Sequence, residues 1–108
     1  MFTTAVTATV TYISPAREFV SAQRLRAIDW AADTPPGTSV HIQVRSAASA
    51  DALSRSTWEG GNGKDSAFEV PTPSAGLALQ GPWVQFRVLL ANPGGGLPVM
   101  RSVTLDFE

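Results

Sequence analysis

Hydrophobic and polar residues alternate along most of this chain. Thr3–Ile13 reads TTAVTATVTYI, with period two and many β-branched residues that suit a pleated sheet. One long strand is expected there, ended by Ser14-Pro15, because proline donates nothing to a ladder. Arg24–Ala31 (RLRAIDWA) reads as a second strand. Val40–Ser46 (VHIQVRS) is the cleanest: Val40, Ile42 and Val44 face one way, and His41, Gln43 and Arg45 face the other. Trp83–Ala91 (WVQFRVLLA) sets Val84, Phe86, Val88 and Leu90 against Trp83, Gln85, Arg87 and Leu89. Val99–Phe107 (VMRSVTLDF) puts Val99, Val103, Leu105 and Phe107 on one face. Shorter strands are expected at Ala67–Val70 and Leu77–Leu79.

Turn chemistry separates these pieces: Asp33–Ser39 (DTPPGTS), Glu59–Asp65 (EGGNGKD), the PTPSAG stretch after Val70, and Asn92–Pro98 (NPGGGLP). Ala47–Ser56 has little apolar periodicity and reads as a loop with at most one helical turn. Six to eight short strands in 108 residues predict a single-domain, all-β antiparallel sandwich, jelly-roll or immunoglobulin-like. Its core should hold Val40, Ile42, Val44, Val84, Phe86, Val88, Val103 and Leu105. The similar pieces IQVR (Ile42–Arg45) and VQFR (Val84–Arg87) mark two equivalent sheet positions.

Composition narrows the function. Hydrophobic residues make up 44% and charged residues 16%, too apolar for intrinsic disorder. The net charge is −1, Lys64 is the one lysine, and the seven arginines are scattered, so no footprint for nucleic acid is present. Cysteine is absent, which removes disulfides and thiolate metal sites. The N-terminus lacks the basic region and apolar run of a signal peptide, and no stretch approaches the roughly 18 apolar residues of a membrane span.

Catalytic patterns are missing. His41 is the one histidine and lies mid-strand with Gln43 and Arg45 as same-face neighbours. No Gly-x-Ser-x-Gly elbow or Walker-type loop occurs, and Gly63-Lys64 is followed by Asp65. Asp29, Asp33 and Asp65 could offer oxygen to calcium, but they lack Asp-x-Asp-x-Asp spacing, and turn chemistry explains them. A non-enzyme with no cofactor and no metal is expected.

The order of pieces resembles the β-sandwich accessory modules of large secreted bacterial proteins, such as polysaccharide-degrading enzymes and cell-surface proteins. The resemblance is carried by the Ser14-Pro15 turn, Ile28–Ser46 with its Pro-Pro-Gly-Thr-Ser turn, Trp58 before the glycine-rich loop, Trp83–Leu90 and Leu97–Phe107. It implies a sandwich fold and an extracellular or cell-surface modular setting; it does not specify a ligand.

Among the tryptophans, Trp30 reads as core and Trp58 as a plug at the end of the sandwich. Trp83 falls on the Gln85/Arg87 side and should face outwards. An exposed aromatic ring beside directed hydrogen-bond donors suits a sugar, which offers an apolar face and a hydroxyl edge. If the two clearest strands are neighbours, the candidate ligand face is Trp83, Gln85, Arg87, His41, Gln43 and Arg45. The reading is thus a non-catalytic, carbohydrate-binding module. The alternative is a structural module, a spacer or filament subunit, that self-associates through an edge strand.

Overall fold

The computed structural model describes residues 2–8, 11–91 and 98–108, and only the backbone of 5–8. The strands are β1 (Phe2–Ala8), β2 (Tyr12–Ile13), β3 (Arg17–Glu18), β4 (Arg24–Asp33), β5 (Ser39–Ala47), β6 (Glu59–Gly60), β7 (Gly63–Lys64), β8 (Leu77–Ala78), β9 (Trp83–Ala91) and β10 (Val99–Phe107). A single helical turn, α1 (Ala50–Leu53), sits where at most one turn was expected, with Ser49 as its N-cap. One sheet has the order β1-β10-β4-β8; the other runs β2-β9-β5-β6-β7, with β3 also on β9. All pairings are antiparallel.

The two sheets face each other, as the alternation predicts. The chain crosses between them at every stage: β1, then β2 and β3, then β4, then β5 to β7, then β8, β9 and β10. This wrapping is that of a jelly roll. It excludes the immunoglobulin alternative, because the last strand lies between β1 and β4 and not beside β9.

The core forms from the inward faces. Val40, Ile42, Val44, Val84, Phe86, Val88, Val103 and Leu105 are all buried, together with Leu25, Ile28, Phe68 and Met100. Trp30 packs against this core from a half-buried position. Buried Ser14 ties the interrupted edge strand to β9: its Oγ accepts from the Phe86 N–H at 3.0 Å, and its own N–H donates to the Phe86 carbonyl at 2.9 Å. The Asp33–Ser39 turn closes with the Thr38 N–H on the Pro35 carbonyl, and Gly37 takes φ 83°, which a type II turn requires at that place.

Three local expectations are corrected. The Thr3–Ile13 run is not one strand: β1 belongs to the smaller sheet and β2 to the larger, with Thr9 and Val10 outside the described residues. Period two cannot distinguish one long strand from two short ones in facing sheets. Ala67–Val70 is not a strand; Phe68 alone bridges Ile42, with reciprocal backbone bonds of 2.7 and 2.9 Å. In β10 the buried residue near the start is Met100, while Val99 is half-buried, because the register shifts between Met100 and Ser102. The expected Asn92–Pro98 turn lies, Pro98 apart, outside the described residues.

Phe86 is 3% exposed and packs beside Tyr12 with ring centroids 6.1 Å apart. Phe86→Ala should cost about 3–5 kcal/mol in a urea unfolding titration. A cost under about 1 kcal/mol would mean that β9 presents its other face to the core.

Candidate functional site

The site grows from one ladder. β5 and β9 pair over their whole length, with Gln43 opposite Arg87, Arg45 opposite Gln85, His41 opposite Leu89 and Ala47 opposite Trp83. Residues opposite one another share a face, so all six expected site residues lie on the outer side of the larger sheet. The neighbouring-strand condition is met.

That face is bonded to itself. The Arg87 Nε–H donates to Gln43 Oε1 at 2.7 Å, and Gln43 Nε2 donates to the Ser66 carbonyl at 2.7 Å. The Arg45 Nε–H donates to Gln85 Oε1 at 2.9 Å, and Gln85 Nε2 donates to the Ser14 carbonyl at 2.8 Å. Both glutamines thus spend their amides on positioning arginines and neighbouring backbone. Gln43 is only 6% exposed, so it supports the site and does not present a free donor. Burial lowers the Arg45 pKa from its ordinary value, and the positive charge of Arg87 lowers it further.

The aromatic partner of these arginines is Trp58. Its ring lies 4.2 Å from Arg45 Cζ and 4.6 Å from Arg87 Cζ, within cation–π range of both. Strand pairing explains why it arrives there. Glu59 of β6 is opposite Val44 of β5, which faces the core, so the preceding residue alternates to the outer side beside Arg45. Close approach of this hairpin needs Gly60, since a Cβ there would overlap the Ala67 backbone. Trp58 is therefore not an end plug, and alternation within strands alone could not reveal it. The available signal was the Gly61-Asn62 turn between short extended pieces, which marks a hairpin that carries Trp58 alongside β5.

Trp83 is half-buried on the same face, at the Ala47 end, with Glu18 of β3 on its other side. It is a diagonal neighbour of Arg45, a separation of roughly 7–8 Å in an antiparallel pair. His41 stands apart from the arginine network: its Nε2 lies 3.8 Å from Glu69 Oε1, at the opposite end of β5. Asp29, Asp33 and Asp65 are dispersed: Asp29 accepts from the Trp30 N–H, Asp33 pairs with Arg101, and Asp65 sits in the hairpin with φ 63°.

No family model, curated protein or solved structure matches the chain. The resemblance to secreted accessory modules therefore rests on the sequence pieces alone.

The stack of Trp58 on two guanidinium groups should hold the hairpin to the sheet. In a double-mutant cycle of Trp58→Ala with Arg45→Ala, a coupling of about 0.5–2 kcal/mol is expected from thermal or urea unfolding. Additive effects would show that the contact contributes nothing.

Proposed function

We propose that this chain is a non-catalytic module that binds carbohydrate on the outer face of β5 and β9. One observation carries the reading. Trp83, Arg45 and Arg87 lie within a single pair of strands, and both arginines are oriented in advance by glutamine side chains. An apolar ring beside fixed, directed donors is the chemistry a sugar needs, with the ring face on the aromatic and the hydroxyls on the donors. Fixing the donors beforehand lowers the ordering cost of binding. A jelly roll alone says nothing about ligand, because one fold hosts many functions. In this reading Trp83 stacks, the two guanidinium groups bond the sugar, Trp58 and the glutamines hold them, and His41 is peripheral. The module acts outside the cell, where polysaccharide is met.

A second reading has an observation of its own. Among the described residues β1 pairs with β10 alone and is the edge of its sheet, and Phe2–Ala8 contains no charged residue to guard that edge. Such an edge could pair with a second copy, which would make the module an assembly unit.

On a glycan array the chain should retain at least one polysaccharide class. Trp83→Ala should abolish that binding while leaving the melting temperature within a few degrees of the parent. A large fall in melting temperature would mark Trp83 as a structural residue and withdraw it from the site. The purified chain should turn over none of the polysaccharide it binds; turnover lost on a single carboxylate substitution would make it an enzyme. Size-exclusion chromatography distinguishes the second reading. A concentration-dependent shift above the 11.4 kDa monomer, without glycan binding, would favour assembly.

A further inference from the structure

Arginines occupy the outer faces of both sheets, and their surroundings differ. On the smaller sheet each has a carboxylate: Arg24 with Glu108, Arg26 with Asp106, and Arg101 with Asp33. On the larger sheet Arg45 and Arg87 form no ion pair among the described residues. They are diagonal neighbours on facing strands and lie over the same tryptophan ring. Register places three acids elsewhere, and Asp65, whose N–H donates to the Trp58 carbonyl at 2.9 Å, forms no ion pair among the described residues. Glu59 is opposite core-facing Val44, Glu69 is beside His41, and Glu18 flanks Trp83 on the side of β9 away from β5. Two like charges held close, half-buried and without a counter-ion are unfavourable in the free protein. The lowered pKa of Arg45 has that same origin, in burial and the Arg87 charge.

The donor inventory points the same way. Each arginine spends its Nε–H on a glutamine of the facing strand, which fixes the plane of the guanidinium. The terminal Nη groups of both arginines form no hydrogen bond among the described residues. Two fixed guanidinium groups with free Nη donors match a planar carboxylate, which takes parallel N–H···O bonds from a guanidinium fork. Trp83 lies diagonally from Arg45, so a sugar ring resting on Trp83 would direct a ring substituent at the arginine pair.

From this geometry we infer that the ligand of this face is an acidic polysaccharide whose repeating sugar is a hexuronate, with its carboxylate bound by Arg45 and Arg87. The inference rests on the saccharide reading above and adds the charge. A neutral glycan would leave the two cations uncompensated on binding, and at greater cost once the sugar had displaced water from them.

The test uses the full chain and a panel of hexuronate oligosaccharides, each paired with the same oligomer after reduction of its carboxyl groups to primary alcohols. Isothermal titration calorimetry should show binding of at least one acidic oligomer, weakened by added NaCl. Carboxyl reduction should weaken it about tenfold or more, since hydrogen bonds between charged groups are worth more than one decade of affinity. Arg45→Gln and Arg87→Gln should abolish the preference for the acidic member. Arg45→Lys and Arg87→Lys keep the charge but lose the fork, and should give intermediate binding; circular dichroism melting checks that each variant folds. Equal binding of acidic and reduced oligomers would overturn the carboxylate assignment and leave the saccharide reading standing. Binding only of sulfated oligomers would replace the carboxylate by another anion and would also overturn it. Binding of no acidic, reduced or sulfated member would remove both.

Discussion

The unbroken ladder between Ser39–Ala47 and Trp83–Ala91 fixes everything else in this molecule. It carries no register shift, unlike the β1–β10 and β10–β4 ladders. Its inner side supplies Val40, Ile42, Val44, Val84, Phe86 and Val88 to the core. Its outer side collects the glutamines, arginines and Trp83. A slip of one residue would exchange the two sides, exposing Phe86 and driving Arg87 into the core. Burial of an unpaired guanidinium there would cost several kcal/mol, comparable to the whole stability of a small domain. The register is therefore set by charge as much as by apolar burial.

The same ladder explains why the polar face is ordered. Long arginine side chains on an exposed sheet would ordinarily sample many rotamers and lose that freedom on binding. Here Gln43 and Gln85 tie one arginine each, Ser66 and Ser14 carbonyls tie the glutamines, and Trp58 lies across both guanidinium groups. The order extends to the edges of the sheet, to the Trp58 hairpin on one side and the Ser14 segment on the other. This arrangement stiffens the face without neutralising it. The Nε–H groups hold the sheet surface together, while the Nη groups, which form no hydrogen bond among the described residues, are left for the proposed ligand.

The central strands, their faces and all eight expected core residues were legible from alternation, because β5 and β9 each carry their large aliphatic and aromatic core residues on one side. Whether the two strands were neighbours was open, since pairing is a long-range property that neither strand encodes alone. The break between Ala8 and Tyr12 was hidden for a related reason: TTAVTATVTYI keeps one period although its two ends serve different sheets. Met100 displaced Val99 from the core through a register shift, and period counting assumes there are none. At the site, the six polar and aromatic positions share a face as expected, yet Gln43 is covered and His41 stands at the far end. Trp58 was misplaced because its position depends on how the Glu59–Lys64 hairpin docks against Val44, a contact across 15 residues.

Arg45 and Arg87 are the proposed anion-binding pair of the molecule. The most direct measurement is an NMR titration of the chain with a hexuronate tetrasaccharide, reading the arginine Nε–Hε resonances. Shifts are expected for Arg45, Arg87 and the Trp58 indole N–H, with Arg24, Arg26 and Arg101 unmoved because their carboxylates already occupy them. Shifts confined to the arginines of the smaller sheet, or no shift in any arginine at saturating oligosaccharide, would contradict that assignment.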